Sequence, residues 1–125
     1  MNPTEIADVI DLAVENLERC PWGQGNGRWT DGQICAQDAI WMAAAGQRDA
    51  KEFWSPYPTM EMEATKLQWV NVLSDEVIQT ISERLPERYF RRLFAWNDRP
   101  GRTKEEVIEL FKETAKDLRN NASPA

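Results

Sequence analysis

Residues 95–103 have the sequence Ala-Trp-Asn-Asp-Arg-Pro-Gly-Arg-Thr and place a rigid turn directly before a predicted helix. Pro100-Gly101 fits a type II turn, because proline fixes φ at the second position and glycine supplies a positive φ at the third. Thr103 and Glu106 have the spacing of a capping box, which predicts that a helix begins here. The free N–H groups of a helix start can hold an anion or a carboxylate. The stretch therefore suits a binding site and a structural clasp equally well.

The rest of the chain is also predicted to be helical. Asn2 at the N-cap and Pro3 at the first helical position begin a first helix, which Pro21 ends at Cys20. No stretch alternates as a strand would. We predict an all-α bundle of five or six helices in one domain, residues 1–119, followed by a flexible polar tail. The tail is residues 120–125, and the further helices are residues 31–45, 60–73, 74–85, 86–95 and 103–119.

Boundaries in the middle of the chain depend on single residues. Ser74 precedes two acidic residues and is expected to cap a new helix rather than to continue the preceding one. Residues 47–54 are expected to add a short helical turn, and the prolines of residues 55–58 indicate a connector. Pro86 is expected to restart the chain as a helix whose apolar side consists of Tyr89, Phe90, Leu93 and Phe94.

The second predicted helix, residues 31–45, is apolar on nearly all sides and rich in alanine, which places it at the centre of the bundle. A capping-box pattern at residues 30–33 precedes it, and Gly46 is expected to end it. Asp38 is an exception on this helix, because a buried carboxylate needs a cation or several donors as partners. The candidate cations are Arg28, Arg99 and Arg102.

Charge and residue types exclude several functional classes. With 15 basic and 21 acidic residues the net charge is −6, which argues against binding to a nucleic acid. The absence of histidine removes the usual zinc, non-haem iron and imidazole-base sites, and no metal or cofactor is expected. No apolar run reaches transmembrane length and no signal peptide is recognisable, so we expect a cytoplasmic protein that contacts no membrane. In that compartment Cys20 and Cys35 are expected to be reduced and unbridged.

Tryptophan, glycine and arginine are each concentrated in this chain. Six Trp residues in 125 favour a heavily aromatic core over an aromatic pocket. Residues 21–32 are rich in glycine but lack the Lys-Ser/Thr pair and the preceding strand of a phosphate loop, so Trp22 and Trp29 are expected to dock onto the core. Five arginines fall within fifteen residues and favour a solvated helix face over an anion-binding surface: Arg88, Arg91, Arg92, Arg99 and Arg102.

Three short blocks of the sequence carry a resemblance to a known family. They are Trp22-Gly23-Gln24-Gly25, the Cys-Ala-Gln-Asp-Ala-Ile run of residues 35–40, and Trp96-Asn97-Asp98 followed by Gly101-Arg102-Thr103. Together they resemble a small family of unknown function that occurs in actinobacteria and their phages. The third block is the most specific, whereas Asp38 stands where the family usually has glycine. The resemblance implies an actinobacterial or phage origin and implies no activity.

Two functions are compatible with these residues. The first is a non-enzymatic binding protein, such as a phage accessory protein, that binds a host protein or sequesters a small charged ligand. The alternative is a histidine-free hydrolase or transferase in which Asp98 acts as base and Arg99 and Arg102 stabilise an oxyanion. Binding is favoured, because neighbouring arginines make a lone carboxylate a poor base. The expected binding residues are Trp22, Gln24, Trp96, Asn97, Asp98, Arg99 and Arg102.

Overall fold

Five α-helices and one 3₁₀ turn occur in the part of the chain that the computed structural model describes, residues 2–25, 32–46, 64–89 and 92–122. These ranges contain no strand and one isolated bridge, between Trp22 and Ile34. The prediction of an all-α bundle is confirmed, and none of the described helices is long and apolar enough to cross a membrane. The predicted elements at 47–54 and 55–58 lie outside the described residues. The helices are α1 Pro3–Arg19, α2 Ala36–Ala45, α3 Ala64–Ser82, α4 Leu93–Asn97 and α5 Lys104–Ala122, and the 3₁₀ turn is Glu87–Tyr89.

Helix α1 begins and ends as the sequence predicts. Asn2 Oδ1 accepts a hydrogen bond from Glu5 N at 2.9 Å, and Pro3 is the first helical residue. At the other end Cys20 has extended backbone angles, as expected for a residue that precedes proline. Lys104 Nζ donates a hydrogen bond to Cys20 O at 2.9 Å. The end of α1 is thereby joined to the start of α5.

The core lies where α1 packs against α2 and α5. Helix α2 also contacts α3 and α4, so the prediction that the alanine-rich helix is central is confirmed. Ala36 and Ala39 are fully buried on α2, where their small side chains allow neighbouring helices to approach closely. The larger side chains that fill the core include Ile10, Leu17, Ile40, Met42 and Phe111, all with no exposed surface.

Aromatic residues contribute less to this core than predicted. Trp96 is buried and Trp22 is partly buried against the core. Trp69, by contrast, is 61% exposed on α3. The prediction of a heavily aromatic core is therefore only partly right for the described residues, and Trp29 lies outside them.

Helix α2 begins later than predicted. The predicted start at residues 30–33 does not hold within the described residues, because Gly32 has φ +81° and Ile34 forms a bridge with Trp22. Ile34 N donates to Pro21 O at 2.8 Å, and this bond needs an extended rather than a helical backbone. Gly46 ends the helix in the left-handed conformation, with φ +72°, as predicted.

Cys35 and Asp38 form the capping box that starts α2. Asp38 Oδ2 accepts a hydrogen bond from Cys35 N at 3.0 Å, and Cys35 Sγ accepts one from Asp38 N at 3.4 Å. Asp38 is 3% exposed, which confirms its predicted burial. The predicted partners Arg99 and Arg102 bond to other groups, and Arg28 lies outside the described residues. Cys35 and Cys20 are both buried and unbridged.

Residues 64–82 form one helix rather than two. The prediction that Ser74 caps a new helix is wrong, because Ser74 lies in the middle of α3 with no exposed surface. Val70, Val77 and Ile81 continue one buried stripe past it at helical spacing, so a continuous helix buries more apolar surface than a break would. Ser74 Oγ has no hydrogen-bond partner within the described ranges.

The prediction that residues 86–95 form one helix is also wrong. The chain forms the 3₁₀ turn and then begins α4 at Leu93, because Arg92 has extended backbone angles of φ −109° and ψ 115°. This break changes which residues face inward: Leu93 is buried, whereas Phe94 is 47% exposed. Phe90 lies outside the described residues.

The turn that precedes α5 and the capping box that starts α5 are both as predicted. Arg102 N donates to Arg99 O at 3.1 Å, which closes the turn, and Gly101 has φ +88°. Thr103 Oγ1 accepts from Glu106 N at 3.2 Å, and Glu106 Oε1 accepts from Thr103 N at 3.1 Å. The short, local segment therefore fixes where α5 begins.

The C-terminal turns of α5 pack beside α1. Arg119 donates hydrogen bonds to Asp11 Oδ2 at 2.6 Å and to Asp8 Oδ1 at 2.9 Å, and these bonds raise the pKa of the guanidinium. The helix continues past Arg119, where the sequence predicts the start of a polar tail, and ends at Ala122. Residues 123–125 lie outside the described part of the chain.

Replacement of Thr103 by Ala is expected to lower the free energy of unfolding by about 1 kcal/mol, the usual cost of a lost N-cap. The measurement is urea unfolding of the variant and the parent. Thr103→Ser, which retains the hydroxyl, is the matched control and is expected to unfold close to the parent. An unchanged midpoint for Thr103→Ala would show that the Pro100-Gly101 turn alone starts the helix.

Candidate binding site

Asn97, the last residue of α4, joins three segments of the chain through its side-chain amide. Its Oδ1 accepts hydrogen bonds from Trp22 Nε1 at 2.8 Å and from Ala36 N at 3.1 Å. Its Nδ2 donates to Gly23 O at 3.4 Å and to Asp98 Oδ1 at 3.0 Å. Asn97 has no exposed surface, and these bonds use both amide donors and the carbonyl acceptor. The side chain therefore holds the loop after α1, the start of α2 and the end of α4 together.

The positions of these partners follow from the helix ends. Ala36 N is the first amide of α2 and has no acceptor within its own helix, so Asn97 supplies one from a different helix. The bridge between Trp22 and Ile34 fixes the loop after α1 beside the start of α2, because Gly23 N donates to Ile34 O at 2.9 Å. Trp22 is thereby held with its indole N–H directed at Asn97.

Gln24 and Asp98 add a second set of bonds to the same junction. Gln24 Nε2 donates to Asn97 O at 2.9 Å and to Arg99 O at 2.7 Å, which satisfies carbonyls at the end of α4. Asp98 Oδ1 accepts from Gly25 N at 3.0 Å. We call the five residues Trp22, Gln24, Asn97, Asp98 and Arg99 the clasp.

Arg102 supports the clasp from the other side of α4. Its guanidinium lies 3.8 Å from the centroid of the Trp96 ring, and its Nε donates to Trp96 O at 3.0 Å. The same side chain donates to Glu106 Oε2 at 2.7 Å and to the Tyr89 hydroxyl at 3.3 Å. The hydrogen bond from Arg102 is the main reason that the pKa of Glu106 is lowered. Arg102 is thus a part of the fold that fixes α4 against the start of α5.

Arg99 differs from Arg102 in being exposed to solvent. One of its nitrogens, Nη1, donates to the Tyr89 hydroxyl at 2.8 Å. Asp98 and Gln24 beside it are exposed as well. The three side chains form an outer edge on top of the buried part of the clasp.

A family model described as a family of unknown function (DUF6197) matches residues 1–117 of the chain. The chain belongs to this family. The resemblance predicted a family of unknown function, and the match agrees with that prediction. Comparisons with curated proteins and with solved structures give no match. Among the described residues of this DUF6197 protein, no three His, Cys, Asp or Glu side chains gather where they could hold a metal ion.

The DUF6197 fold brings together all seven residues that the sequence suggested as a binding site. It separates them into two groups by burial. Trp22, Trp96, Asn97 and Arg102 are buried or partly buried. The side chains of Trp22, Asn97 and Arg102 bond to other parts of the chain, and the Trp96 ring packs against the Arg102 guanidinium. Gln24, Asp98 and Arg99 are exposed.

Tyr89 is the residue of this region that the sequence interpretation missed. Its hydroxyl accepts hydrogen bonds from Arg99 Nη1 and from Arg102 Nη2, although its ring was expected to serve as part of an apolar helix face. The sequence did contain a signal for this role of Tyr89. A buried tyrosine hydroxyl needs a hydrogen-bond partner, and Arg99 and Arg102 follow Tyr89 closely in the chain. The Ala36 amide could not be found in the same way, since it depends on where α2 begins.

Proposed function

We propose that this DUF6197 protein is a non-enzymatic binding protein and that it binds its partner through the exposed edge of the clasp, Gln24, Asp98 and Arg99. The observation that carries the proposal is the division of the cluster into a bonded interior and an exposed edge. Asn97 fixes the backbone beneath Asp98, so the exposed carboxylate and guanidinium are held in a set position. Groups that are ordered before binding lose less conformational entropy when the partner arrives.

The contacts of the same residues support binding over hydrolysis or group transfer. A general base must reach the proton that it removes. Asp98 Oδ1 already accepts hydrogen bonds from Gly25 N and Asn97 Nδ2, which tie the carboxylate to the loop after α1 and to a buried side chain. Arg102, the second proposed oxyanion stabiliser, is packed on Trp96 and bonded to its carbonyl. Neither arrangement favours chemistry on a bound substrate.

A protein is the better candidate partner for this edge than a small ligand. The three side chains are exposed, and none of them lines a cleft of about 540 Å³ that lies between α2, α3 and the first residues of α4. An exposed arginine on a rigid support is typical of the residues that dominate protein interfaces. The resemblance to actinobacterial and phage proteins makes a protein of the host cell the proposed partner, and a phage accessory protein the proposed role. A small charged ligand is the second candidate.

Replacement of Arg99 by Ala is expected to weaken partner binding by roughly 2 kcal/mol, or about thirtyfold, as the loss of a central interface arginine does. The fold should persist, because the Tyr89 hydroxyl still accepts a hydrogen bond from Arg102. The measurement begins with proteins that co-purify with the parent from its native cell, whose affinities for parent and variant are then titrated.

Lys112→Ala is the matched control, because Lys112 is an exposed cation on α5 away from the clasp. It is expected to bind the partner as the parent does. Equal binding by Arg99→Ala and the parent would contradict the proposed surface. A partner retained by both variants would then have to bind elsewhere on the protein.

A further inference from the structure

A cleft lies between α2, α3 and the first residues of α4. Its volume is about 540 Å³, which falls within the range of small-molecule sites. Asp75, Glu83 and Arg92 line it with exposed, charged side chains, whereas Ser82 and Leu93 line it as buried residues. The cleft shares no lining residue with the clasp. Any ligand that it holds is therefore a second ligand, independent of the proposed protein partner.

Ser82 indicates that the cleft is suited to a polar ligand. The residue is only 5% exposed, and it lines the cleft. Other hydroxyls on these helices behave differently, since Thr80 and Thr114 each donate to the carbonyl four residues earlier, at 2.8 and 2.7 Å. Because Ser82 borders the cleft and makes no such helix bond within the described residues, its hydroxyl can form a hydrogen bond with a polar ligand.

The cleft has two carboxylates on one side, from α3 and the residue after it, and one guanidinium from the residue before α4. Asp75 and Gln79 lie four residues apart on α3, and Glu83 directly follows the last residue of that helix. Glu83 N still donates to Gln79 O at 3.0 Å, so the three residues lie on one face. Arg92 comes from the residue before α4. Within the described part of the chain, none of Asp75, Glu83 and Arg92 takes part in an ion pair. Two carboxylates and one guanidinium are therefore available to a ligand.

We propose that this cleft binds a basic amino acid, a molecule with one carboxylate and two cationic groups. Arg92 pairs with the ligand carboxylate, for which a guanidinium has matching geometry. Asp75 and Glu83 lie about 12 Å apart along the helix axis, so they bind two separate cationic groups rather than share one. The exposed ring of Phe94 and the partly buried Ile78 cover the aliphatic chain between these groups.

The test is calorimetric titration of the purified protein with four probes that differ in charge. L-arginine and L-lysine carry the full pattern, agmatine lacks the carboxylate, and L-norleucine lacks the side-chain cation. L-arginine and L-lysine are expected to bind roughly tenfold more tightly than the other two, because each missing group removes a charge-assisted hydrogen bond. Absence of binding by L-arginine and L-lysine, or equal binding by all four probes, would overturn the proposal.

Variants of the cleft assign the contacts. Arg92→Gln is expected to weaken L-arginine binding roughly tenfold and to leave agmatine binding unchanged, because only the former has a carboxylate. Ser82→Ala is expected to weaken L-arginine binding about fivefold, the effect of one lost hydrogen bond. Lys112→Gln removes the same charge on α5 and should bind as the parent does. If Arg92→Gln binds L-arginine as Lys112→Gln does, the assignment of Arg92 is wrong and the proposal fails.

Discussion

Replacement of Asn97 by Ala is expected to lower the free energy of unfolding by about 4 kcal/mol, because two donors lose their acceptor. Those donors are Trp22 Nε1 and Ala36 N, which both bond to Asn97 Oδ1. The residue has no exposed surface, so a small replacement leaves a space that water does not readily fill. The measurement is urea unfolding, with the midpoint and the slope compared between the variant and the parent.

Asn120→Ala provides the matched control, since Asn120 is an exposed asparagine near the end of α5. Its free energy of unfolding should stay close to that of the parent. A double-mutant cycle with Trp22→Phe separates the single bond to the indole N–H from the rest of the loss. If the bond exists, the double variant loses less stability than the sum of the single variants. Fully additive losses, or a loss below about 1 kcal/mol for Asn97→Ala, would show that the clasp does not stabilise the fold.

The features that the sequence predicted correctly are those that depend on a few neighbouring residues. Asn2 and Pro3 begin α1, and Thr103 with Glu106 begins α5, because each cap forms between residues three positions apart. The type II turn at Pro100-Gly101 is equally local, since proline and glycine restrict their own backbone angles. Such signals do not depend on the position of the rest of the chain.

The incorrect predictions concern residues whose conformation depends on distant contacts. Residue 34 is drawn out of the predicted helix by a bridge to Trp22, which lies on the other side of the glycine-rich loop. Ser74 has the composition of a cap, but the buried stripe of α3 continues on both sides of it. Local preference is worth about 1 kcal/mol at such a position, and the burial of several apolar side chains outweighs it.

In the candidate site, too, local features could be predicted from the sequence and features that depend on distant contacts could not. The members of the site could be found from the sequence, since the turn and the clustered polar residues of 95–103 are adjacent in the chain. Their roles could not be found in this way, because Asn97 is buried only once Trp22, some 75 residues away, closes over it. Asp98 and Arg99, one and two residues further on, remain exposed. Neighbouring polar residues therefore separate into a stabilising group and an exposed group through a single long-range contact.

Arg102 and Arg99 provide a test of this separation. Arg102→Ala is expected to lower the free energy of unfolding by about 3 kcal/mol, because it removes a charged hydrogen bond to Trp96 O and the contact with the Trp96 ring. Arg99→Ala should cost less than about 1 kcal/mol, since an exposed side chain with one hydrogen bond contributes little. Both losses are measured by urea unfolding of the variants beside the parent.

Arg102→Lys distinguishes the charge of Arg102 from its shape. Lysine keeps the positive charge but cannot donate in several directions from a planar group, so most of the loss seen with Arg102→Ala should remain. The bond to Glu106 contributes little to this outcome, because the Glu106 carboxylate is exposed. If Arg99→Ala and Arg102→Ala lost equal stability, the exposed edge would be as structural as the interior. The proposed binding surface would then lose its physical basis, because Arg99 would already be committed to the fold.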